Sequence, residues 1–539
     1  MPICLAEKKN KRGLRLLALM LALLFCLTGC SGRRRQDDPA ATPEPTATPE
    51  PIEEPTAGGM LRLPMPVNAP SNDPLEVTTE EMLYLFSLVY ESLLTVGPNC
   101  ELEPCLCESW TSESPGVWEL HLREGVSWHD GTPFTAKDVV NTYEALVEMP
   151  SSYYKPCLTH ILSVENTGTY TLKVRLDTPG IMGLYSLVFP IRKKVPLVGT
   201  GAYRLERITD EQIFLTVNKD WWDKLPYLTR VVFSERDSNS TALASYEAGQ
   251  LDMVPTDILT AGKYYEEGKT NVTDVMTQDM ETLLFNHRSS VFTDVRLRLA
   301  VAHAINRSPI ITNVYSNRAR AADIPFPPDS WLYDSRCDVL NYDPNTAAAL
   351  IAEAGYTIVS NEEGLLYSAS GRSLSVRLLT SATTENTVRS DAANMIASQL
   401  EALGFSVEVV TKPHTLGNGE SEFMEALRAG DWDLALVGFN LSAGNDLSSY
   451  IDPQGANNYG GVRDTELSRL AAELTEADSE ETLRERAFTF QSYFVESAPF
   501  LTLYFRLNSI IYAADIKGVG LPREPLLLAD LKNWYHGSK

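Results

Sequence analysis

No run of apolar residues in this chain is long enough to cross a membrane. The longest, Leu16 to Leu27, is about 12 residues, against the roughly 20 that a spanning helix needs. Positive charge is also scarce. Lys and Arg number 46 against 71 Asp and Glu over 539 residues, a net charge of −25. A body that acidic repels phosphate backbones, so nucleic-acid partners are excluded. The common catalytic signatures are missing as well. There is no G-x-S-x-G and no H-E-x-x-H, so the two usual hydrolase patterns are absent. Gly199-Thr200-Gly201 lacks the third glycine of a dinucleotide loop, and Gly268-Lys269-Thr270 lacks the glycine five residues earlier that a phosphate loop requires. Cysteine is sparse: of eight, Cys4 precedes the first apolar stretch, Cys26 falls within it and Cys30 stands just after it. That leaves Cys100, Cys105, Cys107, Cys157 and Cys337, an odd set in which at least one thiol stays free or pairs between molecules. Cys105-Leu106-Cys107 has no second Cys or His pair at zinc-site spacing, so no metal is expected. The five are read as buried thiols, or as one bridge among the first three plus free thiols.

What is present begins with an address. Lys8, Lys9, Lys11, Arg12 and Arg15 lead into the apolar stretch, whose length suits a signal-peptide core of about 7–15 residues. Leu27-Thr28-Gly29-Cys30 then resembles the bacterial lipobox, in which the cysteine is lipidated and the chain is cut just before it. Residues 1–29 are therefore read as a lipoprotein signal and Cys30 as the lipid-bearing start of the mature protein, on the outer face of the cytoplasmic membrane. One acyl chain holds a membrane weakly, so stable anchoring implies more than one. From residue 30 to 59 the chain is mostly Pro, Thr, Ala and Glu, with too little apolar surface to offset its ordering entropy. At about 3.1 Å per residue such a linker reaches roughly 90 Å.

The remaining chain has ordinary globular composition, 44% hydrophobic and 22% charged overall. Its length suits two or three domains. Trp118, Leu120 and Leu122 alternate, as do Tyr170, Leu172, Val174 and Leu176, predicting half-buried strands. Thr135 to Asp138 reads as a capping box, with Phe134 and Val139 as its hydrophobic staple. Leu297, Val301, Ala304 and Ile305 share a helical face. Asp343 caps a helix with Pro344 at its first position, closed by Gly355. A strand from Leu374 to Leu379, a helix from Thr387 to Leu403 stopped by Gly404, and a strand from Phe405 to Val410 predict a right-handed parallel crossover. The fold class is α/β.

Leu102 to Val140 (LEPCLCESWTSESPGVWELHLREGVSWHDGTPFTAKDVV) resembles the signature region of extracellular solute-binding proteins of family 5, the oligopeptide-, dipeptide- and nickel-binding components of ABC importers. The likeness runs on in order through VGTGAYRL, VNKDWWDKLPYLTRVVF, YEAGQLDMV, FNHRSSVFTDVRLRLAVAHAINR, YDPNTAAALIAEAGY, GDWDLALVGF and APFLTLYF. It implies a two-lobed clamshell of three domains, of the periplasmic-binding-protein type, with a hinged cleft. One lobe would comprise residues 60–98, 198–282 and 501–539, a small inserted domain residues 99–197, and the second lobe residues 283–500. The segment from Asp177 to Val198 looks short beside the family pattern. The resemblance also implies a monomer that is no enzyme, needs no cofactor and passes a peptide or other small solute to ABC permease and ATPase subunits.

For the site, the resemblance places Val77 and Thr78 on an extended segment beside the ligand, and Tyr153 as an aromatic lent by the small domain. It places Phe439, Asn440 and Leu441 along the ligand, and Tyr504 and Phe505 entering from the late strand. Peptide binders usually carry an Asp where this chain has Ser442, and a hydroxyl does not neutralise a buried ammonium. Asp446 substitutes for it if the loop is one residue longer. Trp221-Trp222 is read as a structural plug, His129-Asp130-Gly131 as a turn and His303 as a satisfied surface histidine. The competing roles are a lipoprotein receptor for extracellular signals and a secreted hydrolase on the same scaffold.

Overall fold

Three sheets organise the chain, and two very long strands tie them into one body. The computed structural model describes residues 55–67, 72–77, 81–358, 365–383, 386–414, 421–442, 444 and 446–537. The signal stretch, Cys30, most of the Pro/Thr/Glu linker and Thr78 lie outside the described residues.

The first sheet has four strands in the order Met60–Pro66, Arg230–Arg236, Gln212–Val217, Tyr203–Ile208. The first pair is parallel and the others antiparallel. Leu61, Leu63 and Met65 alternate inward and share a core with the helix Glu81–Val89 and with Leu527, Leu528, Leu531 and Trp534 from the end of the chain. Between its first strand and the rest, the chain makes a second sheet in the order Cys107–Ser114, Val117–Leu122, Thr171–Leu176, Ile161–Asn166, wholly antiparallel. The alternating Trp118, Leu120, Leu122, Leu172, Val174 and Leu176 all point into its core, as the sequence pattern requires. The helix Ala136–Val147 follows its predicted start: Asp138 accepts the Thr135 N–H at 2.9 Å, and Phe134 and Val139 are fully buried.

The third sheet has seven strands. Six run Met253–Thr256, Phe500–Ala513, Thr270–Phe285, Leu434–Asn440, Ser375–Ala382, Ser406–Pro413, and Ala319–Ala321 also pairs with Phe500–Ala513. The strands Ser375–Ala382 and Ser406–Pro413 are parallel neighbours joined through the helix Val388–Glu401, as predicted. Gly404 at φ +95° follows the helix end. Asp343 caps Pro344–Glu353 through the N–H groups of Asn345 and Thr346.

The strands Thr270–Phe285 and Phe500–Ala513 pass from one hydrophobic core to another. Val275, Ile510 and Tyr512 belong to the core of the first sheet, whereas Met280, Leu283, Leu501 and Leu503 belong to that of the large sheet. Their pairing slips between Met276 and Met280. A bulge of this kind bends a strand and interrupts its ladder, so the crossing is where the body is least continuous. The second sheet shares its core with the large sheet rather than the first one. Residues 180–187 make that join: the Gly180 N–H donates to Thr475 O at 2.8 Å and the Ile181 N–H to Ala477 O at 2.7 Å.

All five described cysteines are free, with Cys100, Cys107 and Cys337 buried. The alternative of a bridge among the first three is therefore overturned. Burial raises the Cys100 thiol to about 11 and the Cys107 thiol to about 12, which keeps both protonated and inert.

Candidate ligand cleft

Beside the slip between the two long strands, at Gln278, the fold leaves a cavity of about 1250 Å³. Drug-sized pockets run about 300–1,000 Å³, so this one is roomier. Its walls come from every part of the fold. The helix Glu81–Val89, Trp221, Trp222 and the segment Gly520 to Lys532 form one side. Tyr153 to His160 and Met182 to Ser186 come from the inserted part. Gln278, Asn440 to Ser442, Asp446, Tyr450, Asn457 and Thr475 close the other side.

The site residues expected from sequence divide. Tyr153, Asn440, Leu441, Ser442 and Asp446 all line the cavity. Tyr153 packs edge-on to Tyr154 with ring centroids 5.2 Å apart. Val77 does not line it: its side chain is 2% exposed in the first core, and its carbonyl already accepts the Tyr153 N–H at 3.0 Å. Phe439 sits behind the wall, edge-on to Tyr450 at 4.9 Å and near-parallel to Tyr459. It lines a separate recess of about 10 Å³, room for a single water. Tyr504 and Phe505 are fully buried, with Tyr504 4.8 Å from Tyr315. Their strand lies between two others in the sheet, and Phe500 to Phe505 are buried at every position, so both faces are covered there.

Asp446 lines the cavity. Its Oδ1 accepts the Ser448 N–H at 2.9 Å, and its Oδ2 lies 3.9 Å from His160 Nε2. His160 Nδ1 is 2.8 Å from Asp177 Oδ1, so one imidazole stands between two carboxylates from different parts of the fold. Ser442 and Asn440 are exposed, and Asn440 donates to Asp279 at 2.9 Å.

Trp221 and Trp222 are fastened in place and also face the cavity. Both indole N–H groups donate to Glu91 Oε1, at 3.0 and 2.9 Å. Burial pushes the Glu91 carboxyl up to about 7, while the Thr200 hydroxyl and the two indoles pull it down. His129 belongs to a turn in which the Gly131 N–H donates to Trp128 O at 2.8 Å, and its Nε2 lies 3.0 Å from Gly201 O of a loop remote in sequence; His303 is satisfied by Asn341 O at 2.8 Å.

The lining is acidic. Glu91, Glu103, Asp223, Asp446, Glu524 and Asp530 face only two permanent cations, Arg523 and Lys532. Lys532 is already paired to Asp223 at 2.6 Å. Sequence reasoning missed Arg523 and the whole segment around it. Pro522-Arg523-Glu524-Pro525 reads as a bare loop, and nothing local signals that it reaches the crossing strands. Among the described residues no group of three or more His, Cys, Asp or Glu is placed to hold a metal ion, and no helix is long and apolar enough to cross a membrane.

The family model described as "Bacterial extracellular solute-binding proteins, family 5 Middle" matches residues 101–461. The oligopeptide-binding protein AppA of Bacillus subtilis (strain 168) is 26% identical over 552 residues, covering 95% of this chain and 96% of its own. The nickel-binding periplasmic protein of Escherichia coli (strain K12) is 22% identical over 374 residues, covering 64% and 70% respectively. Among solved structures, the unliganded open form of the murein tripeptide-binding protein MppA gives a TM-score of 0.76 at 20% identity, covering 90% of this chain and 99% of that one. AppA of Bacillus subtilis in complex with a nonapeptide gives 0.59 at 22% identity, covering 90% and 100%.

Proposed function

Since the chain belongs to family 5 of the bacterial extracellular solute-binding proteins, which are two-lobed transport binding proteins and not enzymes, we propose that it captures peptides for an ABC importer by shutting its lobes over the central cavity. The observation that carries this reading is the cavity itself. It is large, and its lining draws on both hydrophobic cores, with Leu83, Phe86 and Leu527 from that of the first sheet and Met182, Tyr185 and Leu441 from that of the large sheet. A solute there touches both bodies only when they approach, and that differential affinity is what shifts an open population to a closed one. The bulge between Met276 and Met280 supplies the bending point. Peptide is favoured over a small chelate by the volume of the cavity and by the near full-length likeness to an oligopeptide-binding relative. The acidic lining suits a cargo that carries an ammonium group, and Asp446 is its anchor at the rim. We place lipid on Cys30, which would hold the body outside the membrane on the linker of residues 30–59.

Native mass spectrometry of the full chain, purified without refolding, tests the capture. A co-purified peptide, or a melting temperature raised by short peptides more than by free amino acids, is the expected result. Equal or absent shifts across a mixed peptide library defeat the peptide assignment. Cys30→Ser is expected to abolish incorporation of labelled fatty acid into the protein. Unchanged labelling defeats the anchor.

A further inference from the structure

One histidine lines the cavity among the described residues, and it stands between two carboxylates. His160 ends the short helix Lys155–His160 of the inserted part. Its carbonyl accepts the Asp177 N–H at 3.0 Å, and its Nδ1 lies 2.8 Å from Asp177 Oδ1, so backbone and side chain hold the two residues together. An ionised carboxylate only accepts, so Nδ1 carries the ring's proton. A neutral imidazole has no second N–H. Its Nε2 then turns a lone pair toward Asp446 Oδ2, 3.9 Å away. A protonated ring turns a charged N–H there instead.

Asp446 has few other partners. Its Oδ1 accepts the Ser448 N–H at 2.9 Å, and among the described residues His160 is its one basic neighbour within ion-pair distance. Arg523 and Lys532, the permanent cations of the lining, are taken by Asp329 at 3.0 Å and Asp223 at 2.6 Å. Tyr450, on the next helix, keeps its proton, because burial and then the Asp446 charge raise its hydroxyl. The side chains of His160 and Asp446 are 35% and 33% exposed, so cargo and solvent reach both. One carboxylate oxygen thus has two claimants, the ammonium of a cargo and the imidazolium of His160.

We propose that His160 is a proton-operated competitor at Asp446, which weakens the cleft's hold on an amino terminus when the surroundings turn acidic. This rests on the reading of Asp446 as the ammonium anchor. The coupling is reciprocal: a proton on His160 opposes the ammonium, and a bound ammonium opposes the proton. Glu91, on the other side of the cavity, also changes charge in mild acid, since burial raises its carboxyl to about 7, so its share is measured separately.

Native mass spectrometry of the full chain tests the inference. The probes are a pool of tri- to pentapeptides with free amino termini and the same pool N-acetylated, at about pH 7 and about pH 5.5. Free termini are mostly charged at both. The wild type is expected to prefer them at the higher pH and to lose roughly 3-fold of that preference at the lower, the size of an exposed ion pair. His160→Asn keeps an N–H for Asp177 and carries no charge, so its preference is expected to be the same at both. His160→Lys, a permanent cation, is expected to show the weaker preference at both, and Glu91→Gln to keep the wild-type response. A wild-type preference that ignores pH overturns the inference, as does a response that survives in His160→Asn or vanishes in Glu91→Gln. Tighter binding of both pools alike in acid also overturns it, and makes His160 a clasp between the inserted part and the loop at Asp446. Peptides bound without regard to acetylation at either pH remove Asp446 as the anchor and this inference with it, while capture stands. If neither pool binds and no solute co-purifies, the capture reading itself has failed and the inference falls with it.

Discussion

Burial raises the Glu91 carboxyl to about 7, so the folded chain keeps a proton there that the unfolded chain has released above about 4.5. The unfolded state then binds fewer protons than the folded one, and stability falls as pH rises through that window, levelling above about 7. Glu91→Gln keeps an oxygen to accept both indoles and has no charge to bury. Its stability relative to the wild type is therefore expected to rise by up to about 3 kcal/mol between pH 4.5 and 7. Thermal melts of both proteins at half-unit pH steps read this directly, and parallel curves would refute it. The residue scale is also where the sequence was least informative about the site. Asn440, Leu441, Ser442 and Asp446 were legible because they follow a recognisable strand and turn. Arg523 was not, because its importance comes from partners about 200 and 250 positions away, at Asp329 and Met276.

At the scale of elements, Gly199 and Gly201 lock a loop onto the end of the helix Glu81–Val89. The Gly201 N–H donates to Val89 O at 3.0 Å, and a Cβ at Gly199 would lie 1.7 Å from that same oxygen. No side-chain adjustment relieves a clash with backbone, so Gly199→Ala is expected to cost more than about 3 kcal/mol, within the range of severe core defects. Urea unfolding measures it. A midpoint within error of the wild type would show that the loop moves freely. Local elements were well read from sequence because their causes are local. The capping residues Thr135, Asp138 and Asp343 stand beside the backbone groups they serve, and the alternation in Val117–Leu122 states which face is buried. Tyr504 and Phe505 failed by the same logic: a strand covered on both sides has no outward face, and only its neighbours reveal that.

For the whole molecule, the expected response to cargo is compaction. Small-angle scattering of the full chain is expected to give a smaller radius of gyration with a bound peptide than without. Superimposable curves at saturating peptide would exclude closure as the mode of capture. The α/β class and the crossover from Ser375–Ala382 to Ser406–Pro413 were visible beforehand, since helix and strand periods announce them. The sharing of one core between the second and third sheets was not. It depends on residues 180–187 meeting Thr475 and Ala477, a pairing no local pattern encodes.

The strand Phe500–Ala513 lies between Met253–Thr256 and Thr270–Phe285, although it is among the last parts of the chain to be made. While the chain is being made, both flanking strands wait with bare edges, open to the wrong partner. The large sheet is therefore completed only after Phe500–Ala513 has been made. A nascent chain arrested before Phe500 would be left sticky and protease-sensitive.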